Sequence, residues 1–179
     1  MCGIAGIIAS DIRQVTEHGL KLMTDSLAHR GPDGEQHWIS PDGQAGFGHR
    51  RLAILDLSEA AAQPMHYGDR YTIIHNGEIY NYIELRTSLK SKGYTFNSGS
   101  DTEVILAAYD FYGHDCITRF EGMFAFAIWD RQEKKLFAAR DRFGEKPFCY
   151  SMRNNMLVFG SEPKAIRAID DTYDLDQPR

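Results

Sequence analysis

Cys2 is the first residue to weigh, because removal of Met1 would leave a thiol and a free α-amino group on the same residue. An α-amine titrates near ~7.7–8.0 and a thiol near ~8.5, so the neutral amine can take the thiol proton around neutral pH, directly or through a water. No histidine is needed. Gly3, Ala5 and Gly6 leave room for a substrate carbonyl to approach the backbone closely. The plainer alternative is a buried structural cysteine in an N-terminal strand, and Cys2 alone does not decide between the two.

Three further segments carry polar groups of complementary kind. His75-Asn76-Gly77-Glu78 follows the apolar strand Tyr71 to Ile74, and Glu78 to Tyr82 leads into a helix. An Asn side-chain amide and the next glycine N–H at a strand end form a pair of donors suited to an oxyanion, although Asn-Gly by itself is more often a hairpin turn. Gly48 to Asp56 sets Arg50 and Arg51 at the head of an apolar strand. A guanidinium there can hold a carboxylate through two parallel hydrogen bonds, while two surface charges would give the same sequence. Asp101 opens a capped helix, where an acid complements the helix dipole and could equally pair with an ammonium group. A thiol, an oxyanion site, an arginine and an aspartate together complement an α-amino acid with a reactive side-chain carbonyl. Glutamine fits that description.

The elements that must position these residues alternate between two periods. Met123 to Trp129 is apolar on both faces, as in a strand buried between layers. Leu136 to Ala139, Phe148 to Met152 and Met156 to Phe159 read as short strands, so the C-terminal third is expected to form an antiparallel meander. More strands are expected at Gln36 to Ser40, Ala45 to Asp56 and Tyr71 to His75. Ser100 followed by Glu103 predicts a capping box opening a helix over Asp101 to Tyr112, stopped by Gly113. Asn81 to Lys92 and Gln14 to His29 are the other helices. Helices grouped between blocks of antiparallel strands predict an α+β domain of stacked sheet and helix layers.

The chain has 179 residues, which suits one globular domain able to bury on the order of two thirds of its unfolded surface. Twenty Lys and Arg stand against 25 Asp and Glu, giving −5, and the basic residues are scattered, which argues against a nucleic-acid partner. No apolar run reaches the roughly 18 residues of a membrane span, and no basic stretch precedes the apolar N-terminus as in an export signal. Three widely spaced cysteines, Cys2, Cys116 and Cys149, support neither a disulfide framework nor a zinc site, and the seven histidines show no ligand spacing. A soluble chain in a reducing cytoplasm, without metal, is the expectation. Residues 170–179 are acidic and poor in core residues, and read as a tail or a shortened linker after a domain over 2–169.

Eight segments in order now carry a resemblance. They are M-C-G-I-A-G at Met1 to Gly6, H-R-G-P-D-G at His29 to Gly34, G-H-R-R-L-A-I-L-D at Gly48 to Asp56 and Q-P-M at Gln63 to Met65. H-N-G-E-I-Y-N at His75 to Asn81, S-G-S-D-T-E at Ser98 to Glu103, F-E-G-M-F-A-F at Phe120 to Phe126 and A-R-D-R-F-G at Ala139 to Gly144 complete the set. With these the sequence resembles the glutaminase domain of the class II glutamine amidotransferases, a branch of the N-terminal nucleophile hydrolases, and within it the glutamine-hydrolysing asparagine synthetases.

The resemblance implies a four-layer αββα sandwich of two antiparallel sheets flanked by helices, in which Cys2, freed of Met1, attacks the glutamine side-chain amide and forms a glutamyl thioester. It makes Asn76 and the Gly77 N–H the oxyanion hole, Arg51 the clamp on the glutamine α-carboxylate, Asp101 the partner of its α-ammonium, and Leu52, Ile54 and Glu78 nearby contacts. Arg51 is preferred to Arg50 because it directly precedes the leucine. Glu145 departs from the apolar residue more usual there, which puts the packing of its loop in question. No S-G-G-x-D-S loop is present, so ATP and magnesium belong to a synthetase domain, in cis or in trans, outside these residues. The resemblance also allows a homodimer, a different ammonia acceptor, and a domain that binds glutamine without turning it over. If the amine of Cys2 is the base, intact mass of a fully active preparation should show loss of Met1. Full activity with Met1 retained would contradict that chemistry.

Overall fold

A computed structural model describes residues 1–52 and 59–169. Its strands are β1 (Gly3–Ala9), β2 (Gly34–Ile39), β3 (Ala45–Arg51), β4 (Met65–Tyr67), β5 (Tyr71–Ile79), β6 (Gly122–Asp130), β7 (Lys135–Arg140), β8 (Cys149–Arg153) and β9 (Met156–Gly160). Its α-helices are α1 (Glu17–Ser26), α2 (Tyr82–Lys90), α3 (Asp101–Tyr112) and α4 (Pro163–Arg167). One sheet has the order β2-β3-β1-β9-β8 and the other β4-β5-β6-β7, with every pairing antiparallel.

Side-chain alternation turns these two sheets into four layers. On β1, Ala5, Ile7 and Ala9 face outward into a cluster with Leu20, Met23 and Leu27 of the α1 region and Ala165 and Ile166 of α4, while Ile4 faces the other sheet. On β6, Phe124, Phe126 and Ile128 face outward to Val104 to Ala108 of α3, while Ala125, Ala127 and Trp129 face inward. The layer between the sheets therefore sets small residues such as Ala125 and Ala127 against large ones such as Phe47 and Phe159. This is the αββα sandwich that the resemblance implies.

Local signals account for most element ends. Thr16 Oγ1 accepts from Gly19 N–H (3.0 Å) and starts α1 at Glu17, later than the helix predicted from Gln14. Its last expected residues, Ala28 and His29, fall with Arg30 in a separate 3₁₀ turn. Ser100 caps α3 as expected, but Glu103 does not return to Ser100 N–H. Its carboxylate instead takes Asn97 N–H and Ser98 N–H (2.8 Å each), so the box closes on the preceding loop. The five-residue α4 was not expected, although Pro163 at its first position is the signal that marks it.

Two expectations need correction. The C-terminal strands do not form one meander: β6 and β7 belong to one sheet, β8 and β9 to the other. The chain changes sheets after β7 because the Asp141 carboxylate gathers the N–H groups of Phe124 (3.3 Å), Phe143 (3.1 Å), Glu145 (2.9 Å) and Lys146 (3.0 Å) into a tight loop. Those bonds hold Asp141 below the usual carboxylate range against its burial. Glu145 itself is exposed, so its departure from an apolar residue disturbs no packing. The second correction concerns β5, which does not stop at Ile74 or His75 but runs through Asn76-Gly77 to Ile79. The predicted strand over Ala45 to Asp56 is observed to Arg51; residues 53–58 and the tail 170–179 lie outside the described residues.

Gly6 shows how tightly the inner layer is packed. A Cβ there would lie 2.1 Å from Cζ of Phe159, whose ring stacks on Phe148 and meets Phe47 edge-on. Gly6→Ala should lower stability by about 1–3 kcal/mol, read as a fall in the urea midpoint at unchanged slope.

Candidate active site

The site is built on one edge of β5. That strand pairs with β4 only as far as Ile73↔Met65, and the preceding Pro64 has no N–H with which to extend the ladder. Beyond Ile73 the N–H groups on this edge need other acceptors. His75 N–H donates to Gln63 Oε1 (2.6 Å), and Ile79 N–H donates to Asp101 Oδ2 (2.8 Å). Alternation then points the N–H of Gly77 to the same edge, between them. The partner across β6 agrees: Phe124, opposite Gly77, spends both its N–H and its C=O on Asp141.

Gly77 could be no other residue. Its φ is +153°, and a Cβ would lie 2.1 Å from Met123 O. The neighbouring Asn76 is 1% exposed, and its side-chain Nδ2 has no hydrogen-bond partner among the described residues. Buried amide donors are nearly always satisfied, so an unpartnered one in a pocket wall marks a place for an acceptor.

That pocket, of about 210 Å³, is lined by Cys2, Arg51, Leu52, Asn76, Gly77, Glu78 and Asp101, together with Met1, His49, Gln63, Thr102 and Lys146. Every described residue of the sequence-derived site thus meets in one place. Ile54 lies outside the described residues. Cys2 is half-buried, its Sγ 3.4 Å from the donating Leu52 N–H and 3.5 Å from Leu52 O. Burial pushes the thiol up, while the Leu52 hydrogen bond and the positive charges of the chain terminus and Arg51 pull against it. The thiol in this state is a poor nucleophile and needs a base.

The two arginines of the motif part company. Arg50 turns to α1, donating from Nε to Thr24 O (3.0 Å) and from Nη2 to Asp25 (2.7 Å), whereas Arg51, one residue on, lines the pocket. Asp101, 5% exposed, is fixed through Oδ2 by β5. Burial and the Asp101 carboxylate push Glu78 up, opposed by the ammonium of Lys146. Lys146 Nζ lies 3.3 Å from the sulfur of Met1.

Sequence reading assigned no role to several groups that complete the site. Gln63 bridges β5 to α3 by donating from Nε2 to Thr102 Oγ1 (3.3 Å), and Arg30 Nε donates to Cys2 O (2.9 Å). His49 donates to His75 O (3.2 Å) from full burial. All of these residues lie in motifs quoted for the resemblance, where their spacing alone gave no function. Among the described residues, no three His, Cys, Asp or Glu side chains converge as metal ligands would, and no helix is long and apolar enough to cross a membrane.

The model of the family described as glutamine amidotransferase domain matches residues 1–177. The chain belongs to this family. It is 44% identical over 181 residues to asparagine synthetase [glutamine-hydrolyzing] 1 of Bacillus subtilis, covering 99% of this chain and 28% of that protein. It is 43% identical over 188 residues to putative asparagine synthetase [glutamine-hydrolyzing] 2 of Methanocaldococcus jannaschii, covering 96% and 36%. The chain thus spans about a third or less of the length of these relatives. Among solved structures it matches the glutamine phosphoribosylpyrophosphate amidotransferase of B. subtilis at a TM-score of 0.75 and 24% identity, over 94% of this chain and 43% of that one, a likeness of fold.

The buried imidazoles of this amidotransferase domain carry a pH consequence. Burial pushes His49 down to about 3 and lowers His75 as well, so both are neutral in the folded state near neutral pH. On unfolding each regains its ordinary value near ~6.5 and takes up a proton below it. The unfolded chain therefore binds more protons as pH falls from ~6.5 toward 3, and stability declines across that window. His49 alone should cost about 2 kcal/mol between pH 7 and pH 5. Urea titrations at the two pH values should show this loss, and His49→Asn should reduce it.

Proposed function

We propose that this domain hydrolyses the side-chain amide of glutamine to glutamate and ammonia through a Cys2 thioester. The observation that carries the reading is the unpartnered Asn76 amide, buried in the same pocket wall as the Cys2 thiol. Once Met1 is gone, the Cys2 α-amine takes the thiol proton, and the sulfur attacks the amide carbon. The oxyanion that forms accepts from Asn76 Nδ2–H and Gly77 N–H, donors already held in place by β5. Collapse breaks the C–N bond, and the proton on the α-amine leaves with the nitrogen as ammonia. Water, deprotonated by the same amine, then attacks the thioester, releasing glutamate and restoring the thiol.

Recognition of the amino-acid end falls to opposite charges. Arg51 takes the α-carboxylate, and Asp101, whose Oδ2 is already committed to Ile79 N–H, offers Oδ1 to the α-ammonium. Leu52, Ile54 and Glu78 would shape the pocket around the aliphatic stem. No cofactor enters these steps. The relatives' printed names favour amidation of aspartate to asparagine as the use of the ammonia, by an ATP- and magnesium-dependent synthetase domain in cis or in trans. Such ligase chemistry belongs in the cytoplasm.

Glutamate release from glutamine by the Met1-free chain tests the reading. Cys2→Ala should abolish release, Asn76→Ala should lower kcat about 10²–10³-fold, and Asp101→Asn should act mainly on KM. Undiminished release by Cys2→Ala would refute the thioester route. Glutamine binding without release by the intact chain would favour a binding domain.

A further inference from the structure

The nucleophile sits just beyond the ladder that holds its strand. β1 pairs with β9 only from Ala5 onward, and Cys2 precedes the strand altogether. On this side Ile4 is clipped by Ser161, whose N–H donates to Ile4 O (2.9 Å) and whose Oγ accepts from Ile4 N–H (3.0 Å). Among the described residues Cys2 has one such tie, the bond from Arg30 Nε to Cys2 O. That bond fixes the plane of the Cys2–Gly3 peptide. Gly3, the other half of that peptide, is paired with Arg50 across β3, so among the described residues the Arg30 bond holds the carbonyl side of Cys2 beside this ladder contact and the weak contacts of the thiol with Leu52.

Arg30 cannot hold this position unaided. Its side chain is 8% exposed, and a buried guanidinium needs a counter-charge. Glu162, immediately before α4, supplies it: Arg30 Nη1 donates to Glu162 Oε1 at 2.8 Å. The other end of Arg30, Nη2, is buried with no partner, so Glu162 is its sole acidic contact among the described residues. Glu162 is itself anchored by α4, whose Ala165 and Ile166 pack into the outer cluster, and by Lys164 Nζ on Oε2 (3.0 Å) and His29 Nε2 on Oε1 (3.0 Å). The hydrogen bonds from Arg30, Lys164 and His29 hold its carboxyl at about 2 against the pull of burial, so it is charged throughout the neutral range. It takes no part in lining the glutamine pocket.

We propose that Glu162 is a positioning residue for the thiol chemistry: by fixing Arg30 from α4 it fixes the Cys2 carbonyl, and through it the aim of the Cys2 amine and sulfur. The inference rests on the Cys2 reading above. It differs from a general stabilising role in what it moves, since Glu162 should affect turnover and thiol reactivity and leave glutamine affinity alone.

The test uses the Met1-free chain. Glu162→Gln keeps the shape and one acceptor but removes the charge, and should lower kcat ~10- to 100-fold with KM changed less than about twofold; the urea midpoint should fall, because Arg30 loses its counter-charge, with the variant still folded in the absence of urea. Arg30→Gln should do the same, and the double variant should be no slower than Arg30→Gln, because both act through one chain of contacts. Glu162→Asp, which keeps the charge one methylene short, should fall between parent and Glu162→Gln; it also serves if Glu162→Gln does not fold. The rate of Cys2 alkylation by iodoacetamide at fixed pH is the second readout, and should change in parallel. Parental kcat in a folded Glu162 variant, independent multiplicative losses, or an effect confined to KM would each overturn the proposal. If the parent releases no glutamate, the reading of function fails separately, and alkylation decides: equal rates in parent and Glu162 variants would overturn the positioning role.

Discussion

The free edge of β5 beyond Ile73 is the constraint on which the rest of the site depends. A strand that loses its neighbour part-way leaves N–H groups at every second residue, and each must find an acceptor or face a ligand. Here the shortage is met at both ends by side chains from elsewhere in the chain, Gln63 on His75 and Asp101 on Ile79. The middle N–H, that of Gly77, is left for the pocket. The same bond that satisfies Ile79 also holds Asp101 at the pocket wall, so the proposed oxyanion donors and the carboxylate proposed for the amino-acid end are set by one piece of backbone. Ligand binding then needs no reorganisation of β5.

The second sheet supplies the proposed nucleophile by a different device. Cys2 lies past the start of β1, where no neighbouring strand on the β9 side reaches it, and side chains take over: Ser161 for Ile4, Arg30 for Cys2. The site thus lies where the ladders of both sheets run out, and its polar groups are the substitutes for the missing strand bonds. Burial raises the thiol and so favours its protonated form; in the proposed chemistry, the amine exposed by loss of Met1 takes that proton. Under the same proposal, loss of Met1 would both create the base and take away the methionine sulfur that sits 3.3 Å from Lys146.

How much of this was legible in the sequence depended on the range of the interaction. Helix α3 was read to its ends because Ser100 and Gly113 act on backbone within a turn of themselves. β5 was read too short for the same reason: Asn76-Gly77 looks like a local breaker, and only the 2.1 Å approach to Met123 O shows that the glycine is there to keep a strand pairing continuous. The meander failed because the sheet change after β7 is made by the Asp141 carboxylate, which reaches back to Phe124 as well as forward to Lys146. Arg51 and Arg50 are distinguished by strand alternation, which spacing respects, although the partners that draw Arg50 to α1 are not visible in its neighbours. Arg30 and Gln63 could be quoted within motifs but given no role, and Glu162 lies beyond the last of them, since the partners concerned lie 28, 39 and 132 residues apart.

The central claim is that the sulfur of Cys2 bonds to the side-chain carbonyl carbon of glutamine while that carbonyl is held by Asn76 and Gly77. The most direct measurement is peptide mass mapping of the Met1-free chain quenched in acid during turnover of glutamine. A glutamyl group on the N-terminal peptide that holds Cys2, lost on treatment with hydroxylamine and absent from Asn76→Ala quenched at the same time, is the predicted result. Continued glutamate release with the N-terminal peptide unmodified at every quench time, or a glutamyl group on another cysteine, would contradict it.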